Sequence, residues 1–328
     1  MEFKKYNSIE NSYRTKEIQR IELNFPKEPF IVQEKVHGAN FSFWINKDGV
    51  RCAKRTSFLE ESDSFYNFQE VLERYKTTIE NLYIRMEGID SMIIHGELCG
   101  GNYPNIKSQV KSIQKGVYYS PNTEFIAFDI TINDKIVNME EFNGIMFNSG
   151  IPYTKELYRG TLRECLKYSN NYNSTVPELF GFDNLDNNIC EGNVIKPINL
   201  LFHGNGSRVV LKNKNEKFKE ISGESKTNTI KVKKEDPIEV SEIKPVVLTY
   251  INENRLKNVL SKIGPVSGQE FGKIMGLFSK DVVEDLIKDC EDYLHLEKLN
   301  VKKVNSFVNK ECGNLIRANF LNIIDGEF

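Results

Sequence analysis

The spacing of apolar residues changes once along the chain, and that change limits what it can fold into. Up to about residue 220, short strand-like runs dominate: FIVQE (Phe30 to Glu34), NFSFWI (Asn40 to Ile45), SMIIHGEL, EFIAFDI, GNVIKP and SRVVLKNK. Beyond about Val240, apolar residues at Val247, Ile251, Leu256, Val259, Leu260 and Ile263 recur at helical spacing until Gly264-Pro265 ends the pattern. QEFGKIMGL, DVVEDLIKDC and VKKVNSFV continue in that style. The expected class is α+β, with a sheet-containing domain first and a small all-helical domain last. ISGESKTNTIKVKKEDPIE (Ile221 to Glu239) has few large apolar residues and reads as a linker. The expected boundaries are 1–220, 221–239 and 240–328, and no internal repeat is found.

Local signals refine the first domain. NKDGV supplies an Asp-Gly turn into VRCAKR, so Asn40 to Arg55 is expected to be a hairpin. From Phe65, apolar residues at Phe68, Leu72, Tyr75, Ile79, Leu82 and Met86 keep one helical face. Shorter helices are expected near MEEFNGIMF and TLRECLKY.

Charge and cysteine usage exclude several classes. The formal net charge of -2 gives no overall attraction to polyanions, so any nucleic-acid site must be a local cationic surface. Six cysteines without a CxxC pair argue against a zinc site and a disulfide framework, and free thiols point to a reducing, intracellular (cytoplasmic) compartment. The N-terminus lacks an apolar signal region, and no apolar run approaches about 18 residues, so neither secretion nor membrane contact is expected.

The chemistry is concentrated around EKVHGANF, where Lys35 lies between two strands with His37, Gly38 and Asn40 beside it. A lysine is a nucleophile only when deprotonated, and nearby cations, burial or a metal favour that form. Taken alone, KVHG reads more readily as a surface turn. It is accompanied, in order, by AKRT (Ala53 to Thr56), HGELCG (His95 to Gly100), FIAFDI (Phe125 to Ile130), CEGNVIKP (Cys190 to Pro197) and VVLKNK (Val209 to Lys214). Together these resemble the nucleotidyltransferase motifs of covalent ligases and capping enzymes. With His37 where Asp is usual, and with EFGKIMGL in the tail, the chain resembles the bacteriophage double-strand RNA ligase (RNA ligase 2) family over nearly its whole length.

The residues can be read for themselves beside that resemblance. Alternation over Ser207 to Lys214 would put Arg208, Val210, Lys212 and Lys214 on one face, as a wall for a triphosphate or as a solvated edge. Glu97, after an apolar run and a glycine, could accept a ribose hydroxyl, hold a metal-bound water or form a surface salt bridge. Phe128 and Asp129 are neighbours in one strand and should face opposite ways. The resemblance gives the adenine face to Phe128, where stacking would contribute roughly 1–3 kcal/mol; core packing is the alternative. Glu191 and Lys196, at odd separation, cannot share a face of a regular strand, so one must sit at its end. Arg55 closes the hairpin and suits a phosphate or an exposed salt bridge. Phe65 is core by pattern, leaving Tyr66 as the better site residue of that pair.

The resemblance implies an ATP-grasp-like nucleotidyltransferase domain with antiparallel sheets. It implies Lys35, His37, Arg55, Lys212 and Lys214 as catalytic residues. Glu34, Asn40, Glu97, Phe128, Glu191 and Lys196 join Lys35, Arg55, Lys212 and Lys214 in binding ATP, with AMP carried on Lys35 and Glu191 directing Mg²⁺ or Mn²⁺. The implied partner is RNA with 3′-OH and 5′-phosphate ends in a nicked duplex. The expected protein is a monomer, and a viral source fits. The alternatives are a DNA ligase, a capping guanylyltransferase and a non-catalytic RNA-binding module. Lys107, Lys111 and Lys115 make the stretch 101–123 unusually basic, and Arg255, Lys257, Lys262, Lys273 and Lys280 suggest a basic face on the helical tail.

Overall fold

The alternating runs form two sheets, one built from six consecutive strands and the other from strands before and after them. The computed structural model describes residues 1–219 and 237–328, which divide into two units, Met1–Lys217 and Phe218–Phe328. The first unit begins with β1 (Glu10–Asn11), α1 (Thr15–Asn24), β2 (Phe30–Glu34), β3 (Ala39–Asn46), β4 (Gly49–Lys54) and β5 (Phe58–Leu59). It continues with α2 (Phe68–Arg85), β6 (Ser91–Asn102), β7 (Ser120–Ile132), β8 (Lys135–Ile136), α3 (Met139–Ser149) and β9 (Glu156–Gly160). The remaining elements are α4 (Leu162–Lys167), β10 (Gly192–Pro197) and β11 (Leu211–Lys214). One sheet has the order β5-β4-β3-β6-β7-β8 and the other β1-β11-β10-β2-β9. All named strand pairs are antiparallel except β1 with β11. The expected α+β class with antiparallel sheets and a helical C-terminal region is therefore what the chain adopts.

Period-two alternation decides which face of the six-stranded sheet is dry. Phe41, Phe43 and Ile45 of β3, with Ile94 of β6 and Phe125 of β7, are buried in one core with Phe68, Val71 and Ile79 of α2. Each such side chain contributes about 1.5–3 kcal/mol on burial. The intervening residues Asn40 and Ser42 pair across strands with Glu97 and His95, so one end of the other face is polar, while Trp44 and Ile93 make its far end apolar. The α4 helix starts at a capping box in which Thr161 and Glu164 satisfy each other's backbone N–H groups.

Two expectations about regular structure are corrected. The strand expected over Ser207 to Lys214 begins only at Leu211, and Arg208 does not share a face with the lysines. Its guanidinium is drawn into a buried pair with Asp129, while Val209, Val210 and Leu211 are all buried in succession. Lys212 and Lys214 do keep the two-residue spacing within β11. The helical spacing from Val247 to Ile263 is not one helix: α5 (Ile238–Tyr250) ends at the extended Ile251. Asn252 then caps α6 (Glu253–Ile263) by accepting from the Arg255 N–H at 3.0 Å.

The second unit is completed by α7 (Phe271–Asp289), α8 (Glu291–Leu294) and α9 (Lys298–Asp325) around its own apolar core. The expected linker lies outside the described residues, apart from Pro237, Ile238 and Glu239. The last two of these already belong to α5. The basic face expected here is largely neutralised within the unit. Arg255 is fully buried between Asp281 at 2.8 Å and Asp285 at 2.9 Å, and it joins α6 to α7. Lys262 pairs with Asp281, Lys273 with Glu270, Lys280 with Glu284 and Lys257 with Glu253.

A second buried polar cluster lies on the polar side of the first unit. Asp129 accepts from both Arg208 nitrogens, at 2.7 and 3.1 Å, and from the Tyr6 hydroxyl. Burial alone would raise its pKa, but Arg208 and Lys196 outweigh that and hold it well below the usual range. His95 packs on the Tyr6 ring at 4.9 Å and is 2.9 Å from the Thr131 hydroxyl. Burial pushes its imidazole down to about 4, the nearby Asp129 only partly opposing this. The folded value lies below the unfolded value of about 6.5, so the folded state binds fewer protons between the two. Stability should therefore fall as the pH drops from about 6.5 towards about 4, by up to roughly 3 kcal/mol. Thermal unfolding against pH should show this loss in the native protein, and His95→Gln should remove that part of the dependence.

Candidate active site

Lys35 follows β2 directly, and its backbone N–H donates to the Gly192 carbonyl at 2.8 Å, which fixes it beside the start of β10. Its Nζ donates to Glu191 Oε2 at 2.8 Å. Glu191 precedes β10, so it escapes the strand's alternation as the odd separation from Lys196 required. The His37 Nδ1 approaches the same oxygen at 3.2 Å, and Lys214 Nζ lies 2.9 Å from Oε1. One buried carboxylate is thus held by three residues from two chain segments, the loop after β2 and β11. Burial would raise its pKa, but Lys214, Lys35 and His37 outweigh burial and hold it well below the usual carboxylate range.

The Lys35 loop can approach β6 this closely only because residue 38 has no side chain. A Cβ on Gly38 would lie 2.0 Å from the Leu98 carbonyl oxygen and 2.9 Å from Glu97 Cγ. Gly192 is required in the same way. Its φ of +142° and a carbonyl 2.1 Å from where a Cβ would be both exclude other residues. The loop is pinned from the far side by the His37 N–H, which donates to the Tyr119 hydroxyl at 2.8 Å.

Glu97 lies across from Asn40 in the register of β6 and β3. Burial pushes its pKa up to about 8, opposed by Lys35 and Arg55 and reinforced by Glu191. It is no surface salt-bridge partner. Arg55 donates to the Tyr6 carbonyl at 2.6 Å and makes no exposed salt bridge either. Asn40 is half-buried and its amide makes no hydrogen bond with the described residues. Lys212 sits in β11 opposite Val194, two residues before Lys214.

Other expected site residues are placed differently. The Glu34 carboxylate accepts from Ser174 Oγ at 2.6 Å and from the Thr175 N–H at 2.9 Å, which ties β2 to that loop. Lys196, towards the other end of β10, donates to the Phe128 carbonyl at 2.6 Å and lies 3.4 Å from Asp129. Burial lowers its pKa to about 8 although Asp129 opposes this. Phe128 occupies a β-bulge between β6 and β7, where the register shifts between His95 and Gly96. The strict opposition expected for Phe128 and Asp129 therefore fails, and the Lys196 ammonium reaches both, 5.5 Å from the centre of the Phe128 ring. Phe65 is core as expected; Tyr66 packs against that core at a positive φ of 48°. Tyr6, Tyr119 and Ser174 were not foreseen, because none lies in a motif with a chemical signature, and Arg208, expected on the lysine face, is instead paired with Asp129.

The profile of the RNA ligase family matches residues 28–214, more than half of the chain, and a second profile, the T4 RNA ligase 2 C-terminal region, matches residues 233–314. The chain belongs to the RNA ligase family. The expected resemblance is borne out, as an RNA ligase family domain followed by a C-terminal region of the T4 RNA ligase 2 type. RNA-editing ligase 2, mitochondrial, of Trypanosoma brucei brucei is 27% identical over 98% of this chain and 92% of its own length. RNA-editing ligase 1, mitochondrial, of the same species is 24% identical over 84% and 74%. A Naegleria gruberi RNA ligase mutant structure aligns at TM-score 0.46 and 17% identity, covering 65% of this chain and 56% of that one.

The loop geometry yields a direct expectation for this RNA ligase. Gly38→Ala must push the Lys35 loop away from β6, and a displacement of about 1 Å can cost about a hundredfold in rate. Covalent labelling by nucleotide should fall on that scale, whereas Gly204→Ala, with nothing within 4 Å of the new Cβ, should label normally.

Proposed function

We propose that this chain is an ATP-dependent RNA ligase that seals 3′-OH and 5′-phosphate ends in nicked duplex RNA. The observation that carries this reading is the pairing of Lys35 with a buried Glu191 whose other oxygen is held by Lys214. An amine nucleophile is fixed beside a cation suited to polyphosphate, in a site closed on one side by protein.

In the first step the Lys35 nitrogen, after losing a proton to solvent, attacks the α-phosphorus of ATP. An N–P bond forms and the bond to pyrophosphate breaks. The RNA 5′-phosphate oxygen then displaces the lysine, and the 3′-OH finally displaces AMP. Lys214 and Lys212 supply positive charge toward the phosphates, and Glu191 holds the Lys35 ammonium until it is deprotonated. Arg55 and Asn40 line the polar face of the hairpin beside that position. Among the described residues no group of three His, Cys, Asp or Glu could hold a metal. The carboxylates of Glu191 and Glu97 suit an ion that keeps its waters and phosphate oxygens, as Mg²⁺ does. Such an ion, Mg²⁺ or Mn²⁺ beside Glu191, would supply charge neutralisation on the reacting phosphates.

Incubation with α-labelled ATP and a divalent ion, followed by a denaturing gel, tests the reading. The native protein should retain label, while Lys35→Ala and Lys35→Arg should retain none, since a guanidinium stays protonated. Labelling by GTP as efficient as by ATP would favour the capping alternative.

All expected adenylation residues lie between Glu34 and Lys214, so the helical unit acts on RNA and not on nucleotide in this reading. A chain ending after Lys219 should still close a nick that already carries 5′-AMP, yet join a 5′-phosphate nick poorly with ATP. Gel assays on the two nicks distinguish these steps, and equal sealing of both would make the helical unit dispensable.

A further inference from the structure

Residues 98–123 form the longest stretch of the chain without an acidic residue, and they contain three lysines. Most of this stretch is neither helix nor strand, yet it is firmly anchored on its inner side. Ile113 enters the main core and its N–H donates to the Gly100 carbonyl at 3.1 Å. Ser108 Oγ donates to the Pro121 carbonyl at 2.7 Å. Tyr118 exchanges two backbone hydrogen bonds with the Asn188 side chain, at 2.8 and 2.7 Å.

The strap is also joined to the catalytic loop. Tyr119 receives the His37 N–H, and Gly116 accepts from Lys217, three residues beyond Lys214. Lys107 and Lys111 lie on the outer side, exposed, with no hydrogen bond or ion pair to any described residue. In a chain of net charge -2, an anchored cationic strap attached to the nucleophile loop is a local exception to the overall balance.

We propose that Lys107 and Lys111 contact backbone phosphates of the RNA alongside the ends being joined. This rests on the RNA ligase reading and adds a substrate-binding surface outside the nucleotide pocket. The anchoring holds the strap in place before RNA arrives, so little ordering cost offsets the phosphate contacts.

The test uses the full chain with Lys107→Ala and Lys111→Ala combined, and the charge-keeping pair Lys107→Arg and Lys111→Arg. Binding of nicked duplex RNA, measured without ATP over a range of KCl, should weaken on the order of tenfold in the alanine variant. The slope of log affinity against log salt should become shallower by about two, and the arginine variant should restore both. Lysyl-AMP formation should be unchanged in every variant. Unchanged RNA affinity and salt slope would overturn the proposal, as would labelling that falls in parallel with binding. Because the binding arm needs no nucleotide, it judges the strap even if the native protein forms no lysyl-AMP, an outcome that would sink the catalytic reading instead.

Discussion

A buried carboxylate without partners is among the costliest groups a protein can contain, and the first unit is arranged around one that is satisfied. Glu191 is tolerated because Lys35 and His37 from the loop after β2 and Lys214 from β11 converge on it. That convergence requires β10 to lie between β2 and β11, which is the order observed. It also requires two glycines, Gly38 and Gly192, where backbone passes backbone. Removing Glu191 would leave the Lys35 and Lys214 ammonium groups without the carboxylate they share, so sheet order, loop conformation and site electrostatics are constrained together.

The second cluster, around Asp129, follows the same logic with a different result. Here Arg208, Lys196 and Tyr6 enclose the carboxylate, and the side chains are largely spent on one another. Tyr6 also offers its carbonyl to Arg55, so this cluster holds a residue of the candidate site from behind. Lys196 belongs to this arrangement by contact, although its motif placed it with Glu191.

Much of this was legible in the sequence because β2 and β10 are short apolar runs and the β3–β4 hairpin carries its own turn and alternation signals. The order of the motifs gave Lys35, Glu191 and Lys214 before any geometry was known. What escaped was set by distant contacts. Arg208 looked like a strand residue because alternation cannot show that Asp129, in β7, captures it. The α5–α6 break was hidden because Ile251 continues an apolar helical spacing while Asn252 starts a new cap. The bulge at Phe128 was unreadable because a register shift is a property of two strands, whereas alternation is a property of one. The tail's basic residues were visible, but their carboxylate partners on neighbouring turns and helices were not assigned to them.

The parallel pairing of β1 with β11 joins Glu10 to Leu211, and so the beginning of the first unit to its end. A chain emerging from the ribosome can complete the six-stranded sheet and its α2 cover after about residue 136. It cannot close the other sheet until β11 has appeared, because Lys214 and the partner strand for β1 arrive last. Non-local pairing of this kind folds slowly. The nascent chain therefore carries Lys35 for most of its synthesis without Glu191 and Lys214, and the buried charge cluster around it is assembled only when the unit is nearly whole.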